Sequence, residues 1–210
     1  MTPAVVADLG GPRRCLSSAV LGGGLRTATH WLNLQVSHGY ARLDPAEHLR
    51  DEATGRNLNP DAVVGMLTAA DVGAARRRAA GAARVTATVG IGQPLAAAGR
   101  RPRALARVGT INLLVALDTP LDDAALVTAV QTATEAKAQA LADAGVRALN
   151  HDGFATGTAT DAICVAVVPG GGVPFAGPAT EVGAAIAAAV HDAVLEGAQA
   201  AARPARSARG

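Results

Sequence analysis

The run "AICVAVV", residues 162–168, is apolar at every position and lacks the alternation of a strand with one wet face. Such a run is read as a central strand buried on both sides. It obliges the rest of the chain to supply cover, and two long helical patterns meet that need. "LDDAALVTAVQTATEAKAQALADAG" (121–145) has Asp122 or Asp123 as cap and Gly145 as stop. "TEVGAAIAAAVHDAVLEGAQAA" (180–201) sets Val182, Ile186, Ala189 and Ala193 on one stripe.

More strands are legible. "RVTATVGI" alternates Val and Thr, "GTINLLVALD" is a second clear strand, and "CLSSAVLGGG" reads as a strand ending in a Gly-rich turn. "HWLNLQVS" places Trp31, Asn33 and Gln35 on one face and Leu32, Leu34 and Val36 on the other. "NPDAVVGMLTAADVGAARRRAA" predicts a helix, with Asn59 as N-cap and Pro60 at its first position. Residues 41–58 and 92–108 read as loops. The expected fold is α/β or α+β: a mixed β-sheet covered by Ala-rich helices in a single domain. That domain spans 14–200, between an N-terminal tail (1–13) and a disordered Arg-rich tail (201–210).

Composition limits how the core is built. The chain of 210 residues is 50% hydrophobic, and its aromatics are only Trp31, Tyr40, Phe154 and Phe175, so Ala, Val, Leu and Ile must fill the interior. A net charge of +2 is too small to argue for nucleic acid. No stretch reaches the roughly 18 apolar residues of a membrane span. No basic and apolar leader opens the chain, so a cytoplasmic address is expected. Cys15 and Cys164 match no metal-ligand spacing, and Cys164 reads as a core thiol. A homodimer is compatible with so apolar a chain.

Lys137 is the one Lys in a chain that otherwise uses Arg. It shares a helical stripe with Leu126, Val130, Ala133 and Ala144, so its ammonium either snorkels out or meets a buried partner. Lys can lose a proton or act as a point charge where Arg cannot. Glu135 and Thr132 fall on the opposite side of that helix; Glu135 is a second-rank candidate. The loop "ATGTATD" presents Thr156, Thr158, Thr160 and Asp161 around Gly157. Its hydroxyls can orient a ligand and its N–H groups can cradle an anion, or it can be an ordinary turn. His151 and Asp152 lie just before it. Ser17 and Ser18 lack a nearby base, and with Asn33 and Asn112 they are candidates for holding substrate. His191 beside Asp192 reads as solvent-facing. The Gly runs form no nucleotide fingerprint, while "RRPRALAR" (100–107) could hold a phosphate or carboxylate.

Taken in order, "LSSAVLGGGL", "WLNLQV", "VGMLTAADV", "VTATVG", "GTINLLVALD", "TATEAKAQAL", "ATGTATDAICVA" and "PATEVGAAIAAAVHDAV" resemble the adenosylcobinamide amidohydrolase family over about residues 14 to 196. One departure is Ala159, where the family more usually has Gly. The resemblance implies a corrinoid-salvage enzyme that cleaves the amide joining aminopropanol to a propionate of the corrin ring, giving adenosylcobyric acid. The cobalt-containing corrinoid would be substrate, with no cofactor required. A non-catalytic corrinoid carrier and a phosphate-binding module built on the Gly and Arg loops are the alternatives. Amide hydrolysis needs an attacking oxygen, oxyanion stabilisation and a proton for the amine. The expected roles are Asp161 activating water or Thr158, Lys137 and the N–H groups of 157–159 stabilising the oxyanion, and Glu135 or His151 protonating the amine. On this reading Asp161→Asn and Lys137→Met each abolish turnover with little change in thermal unfolding.

Overall fold

A computed structural model describes residues 1–100 and 109–202. The strands are β1 (Ala4–Ser17), β2 (Gly24–Gln35), β3 (Val63–Thr68), β4 (Arg76–Ala80), β5 (Ala83–Val89), β6 (Pro94–Leu95), β7 (Ile111–Leu117), β8 (Gly157–Thr158) and β9 (Ala162–Val167). The helices are α1 (Pro45–Thr54), α2 (Asp123–Asp143) and α3 (Glu181–Ala202). Seven strands form one mixed sheet in the order β3-β2-β1-β9-β7-β5-β4, and β6 pairs with β8 separately. As its apolar sequence requires, β9 lies at the centre, antiparallel to β1 and parallel to β7.

This sheet folds back on itself. In a flat sheet β2 and β7 would stand three strand spacings apart, about 14 Å. Instead Asn112 Nδ2 on β7 donates to Asn33 Oδ1 on β2 at 2.8 Å, and Asn33 Nδ2 donates to Thr88 Oγ1 on β5 at 2.8 Å. The bend has a local cause. Pairing between β1 and β2 slips between Asp8 and Arg13, where Gly10 and Gly11 take φ of 75° and 109°, a left-handed region that side chains resist. Beyond this bulge, the first half of β1, the second half of β2 and β3 lie over the β9–β7–β5 half.

Three apolar clusters follow, and they define four layers. Leu49 and Ala53 of α1 cover Leu32 and Leu34 on one outer face. Trp31, Met66, Leu114, Cys15 and Cys164 pack between the two sheet halves. The largest cluster joins β5, β7 and β9 to α2 and α3, with Val182, Ile186, Ala189 and Ala193 all buried as their stripe predicts. Cys164 is a core thiol, pushed up by its hydrogen bond to Cys15 and by burial.

Three local expectations change. Residues 1–13 are no tail: Ala4 onward is strand, paired with β2 over Ala4–Asp8 and again from Arg13. The 41–58 loop contains α1, whose inward stripe is only Leu49 and Ala53 in an otherwise charged decapeptide, too thin to mark a helix by period. The helix expected from Asn59 stops after one 3-10 turn. Asn59 Oδ1 does accept from Asp61 N–H at 3.0 Å, but the β-branched Val63–Val64 run then enters parallel pairing with β2, and 76–80 pair with β5. Long-range pairing outweighs a well-formed cap.

His191 is also not free in solvent: it bridges α3 to the end of α2, with Nε2 2.9 Å from Asp143 Oδ2 and Nδ1 3.1 Å from Asp192 Oδ1, and Asp143 raises its pKa. Residues 201 and 202 belong to α3; the rest of the Arg-rich tail and most of "RRPRALAR" lie outside the described residues. No helix among the described residues is long and apolar enough to cross a membrane.

Candidate active site

The two sequence features singled out for chemistry meet. Lys137, on the inner side of α2, places Nζ 2.5 Å from Asp161 Oδ2, which stands just before β9. Their side chains are 8% and 11% exposed, so this is a largely desolvated ion pair rather than a surface contact. Burial obliges the carboxylate to be fully hydrogen-bonded. Asp161 Oδ1 accepts from the Ile111 N–H at 2.9 Å and from the Thr158 hydroxyl at 2.5 Å; Oδ2 accepts from the Thr158 N–H at 3.0 Å and from Lys137. A carboxylate has about four lone-pair sites, and four donors fill them.

The Thr158 hydroxyl has the opposite balance. It lies 2.6 Å from the Gly109 carbonyl as well as 2.5 Å from Asp161 Oδ1, so two acceptors compete for one proton. No donor among the described residues reaches Thr158 Oγ1, which leaves its lone pairs unspent. Oxygen with free lone pairs, a carboxylate already sharing its proton and an ammonium beside them are the parts of an activated nucleophile.

Gly157 is required by space. A β-carbon built there would stand 2.5 Å from Asp161 Oδ2 and 2.8 Å from Lys137 Nζ. Gly157→Ala must therefore push the ammonium and carboxylate apart. A loss of about a hundredfold in kcat/KM is expected, since displacements near 1 Å have that effect. Steady-state kinetics test this, with far-UV circular dichroism showing that the sheet is intact.

The trio lines a cleft of about 540 Å³. One wall is α2, through Thr134, Lys137 and Ala138; the opposite wall is the segment 95–100. That second wall is stitched to the loop after α2. Asn150 clamps Ala96 twice, accepting from its N–H at 2.8 Å and donating to its carbonyl at 3.0 Å, and Thr156 Oγ1 accepts from the Ala97 N–H at 2.9 Å. Thr156, Gly157, Thr158 and Asp161 thus all line the cleft.

Other candidates do not reach it. Glu135 is exposed and His151 is exposed, its Nδ1 accepting from the Gly153 N–H at 2.8 Å; neither lines the cleft, so neither is placed to protonate a bound amine. Thr132, expected opposite Lys137, is buried and donates to the Ala176 carbonyl at 3.0 Å. Ser17 and Ser18 tie β1 to β9: Ser17 Oγ donates to the Ile163 carbonyl at 2.9 Å, and Ser18 Oγ accepts from the Ile163 N–H at 3.1 Å. Thr160 bonds Thr110 at 2.7 Å outside the cleft. Asn33 and Asn112 are buried between the sheet halves, closing the fold rather than facing a ligand. Asn150 and the 95–97 wall had no periodic or motif signal in the sequence, whereas Arg100, which lines the cleft, opens the "RRPRALAR" run. Among the described residues no three His, Cys, Asp or Glu side chains are grouped as ion ligands.

A family model described as "Adenosylcobinamide amidohydrolase" matches residues 1–205. An adenosylcobinamide amidohydrolase of Halobacterium salinarum is 38% identical over 199 residues, covering 90% of this chain and 82% of its own. An uncharacterized protein of Methanocaldococcus jannaschii is 39% identical over 90 residues, covering 42% of this chain and 35% of its own.

Proposed function

Because this chain belongs to the adenosylcobinamide amidohydrolase family, we propose that it hydrolyses the amide between aminopropanol and the propionate arm of adenosylcobinamide, yielding adenosylcobyric acid for reuse in cobamide assembly. The observation that carries the reading is the buried Lys137–Asp161 pair sharing its carboxylate with the Thr158 hydroxyl at the wall of a cleft.

In the proposed mechanism a Thr158 Oγ1 lone pair attacks the amide carbon. The Oγ1–C bond forms as the hydroxyl proton moves to Asp161 Oδ1, 2.5 Å away. Charge thereby leaves the carboxylate and appears on the former carbonyl oxygen. The Lys137 ammonium serves both: it loses its partner's charge as the oxyanion forms beside it. The Thr158 N–H is spent on Asp161, so the Ala159 N–H, which has no acceptor among the described residues, is the backbone donor of choice. The tetrahedral intermediate collapses with cleavage of the C–N bond, and Asp161 returns the proton to the departing amine. Asp161 thus replaces Glu135 and His151 as the acid. Water then attacks the Thr158 ester by the same steps in reverse order and releases the carboxylic acid.

Incubation with adenosylcobinamide, read by mass spectrometry with and without chelator, tests the function. Equimolar aminopropanol and adenosylcobyric acid are expected. Recovery of bound, unaltered corrinoid would make the protein a carrier and end the hydrolase reading.

A further inference from the structure

We infer that Leu149 and Phe154, exposed on the rim of the Thr158 cleft, form the platform on which the corrin macrocycle lies while its amide arm enters the cleft; the inference rests on the corrinoid substrate proposed above.

Size makes a platform necessary. A cleft of about 540 Å³ suits a drug-sized ligand. Adenosylcobinamide has a macrocycle of pyrrole-derived rings with a nucleoside on its cobalt, and its scissile amide stands on a short arm at the ring edge. The arm can enter while the ring stays at the mouth, so the mouth must offer an apolar surface.

The chain places one there. From residue 154 to 157 burial alternates: Phe154 and Thr156 are exposed, Ala155 and Gly157 buried, and Thr158 is half-buried. Phe154 stands two residues before Thr156, whose hydroxyl accepts from the Ala97 N–H of the cleft wall, and the chain bends at Thr156 into Gly157 and Thr158. Leu149 joins it from the other limb of the loop, next to the cleft-lining Asn150 and with its N–H bonded to the Pro94 carbonyl at 3.0 Å. Leu149 is 68% exposed and Phe154 45%.

The Phe154 ring is held in place, and the loop that carries both residues is closed by hydrogen bonds. Arg147 and Phe154 form an isolated bridge, the Arg147 guanidinium sits 5.0 Å from the centre of the Phe154 ring, and Arg147 Nη2 donates to the Asp152 carbonyl. The Ala148 N–H closes the loop on the Gly153 carbonyl at 3.1 Å. The cation covers one side of the ring, leaving the other as a flat apolar face. In a chain with four aromatic residues, fixing one of them open two residues from the cleft-lining Thr156 is a specific use of it. The other exposed aromatic, Phe175, lines a separate cleft with Gly81 and Thr119, beyond the opposite ends of β7 and β9.

The test measures equilibrium binding of adenosylcobinamide by the absorbance of its corrin bands, using Thr158→Val so that no turnover intervenes. Adding Leu149→Ser or Phe154→Ser is expected to weaken Kd on the order of tenfold each. In the otherwise unaltered enzyme the same changes should raise KM similarly, leave kcat within about twofold and leave the melting temperature in place, because both side chains are exposed. Undiminished affinity in both variants, or a fall in kcat without a change in KM, overturns the platform alone. A Thr158→Val protein that binds no corrinoid at all overturns the substrate assignment as well.

Discussion

Asp161→Asn is expected to lower turnover on the order of 10³- to 10⁴-fold and to destabilise the fold by about 3–5 kcal/mol. The first effect follows from its proposed work: an amide cannot take the Thr158 proton, and its NH₂ would point a donor at groups that already donate. The second follows from what is left behind. Lys137 is 6% exposed, and Asp161 is the one partner its ammonium has among the described residues. Removing the carboxylate strands a buried cation, whereas Lys137→Met leaves a carboxylate still holding the Ile111 N–H, the Thr158 N–H and the Thr158 hydroxyl. Lys137→Met should therefore lose about 10²- to 10³-fold in kcat, as loss of an oxyanion donor does, with the smaller loss of stability. Urea denaturation and steady-state kinetics on the two variants check both orders. This revises the expectation that both substitutions leave thermal unfolding little changed, because the pair is largely buried. Wild-type turnover in both variants, or greater instability in Lys137→Met, would remove the pair from the mechanism.

How much of this was legible follows from where each signal resides. Central β9, α2 and α3 were readable because burial on both faces, or on one stripe, writes itself into consecutive side chains. Lys137 stood out for the same reason: a charge on an apolar stripe must be paired or exposed, and the loop with Asp161 supplied the pairing. The fold-back of the sheet was not readable. It depends on a two-glycine bulge in β1 and on Asn33 meeting Asn112, residues 79 positions apart whose polarity marks them equally well as ligands. β3 was mistaken for helix because Asn59 and Pro60 are genuine start signals, satisfied by a single turn before strand pairing takes over. The cleft's second wall is made by backbone: Ala96 and Ala97 carry no side-chain chemistry, and only the structure shows Asn150 and Thr156 holding them.

Thr158→Val should abolish turnover, by on the order of 10⁴-fold or more, while costing the fold about 1–2 kcal/mol for the lost bonds to Gly109 and Asp161. Valine keeps the β-branched shape, so the change isolates the hydroxyl. Thr158→Ser restores an oxygen at the same branch point and should recover much of the rate. The two outcomes separate attack by Thr158 from attack by a water that the same carboxylate activates. If water attacks directly, the hydroxyl only orients Asp161, and Thr158→Val loses far less. A covalent route also predicts an intermediate: rapid mixing with excess substrate should release one equivalent of aminopropanol per site ahead of the carboxylic acid whenever ester hydrolysis is the slower half. The acylated chain should then appear by mass spectrometry in acid-quenched samples, with the adduct on the peptide containing residues 156–161 and absent from Thr158→Val. Simultaneous release of both products at every time, together with a Thr158→Val enzyme within about tenfold of wild type, would make the hydroxyl a positioning group and leave Asp161 to act on water.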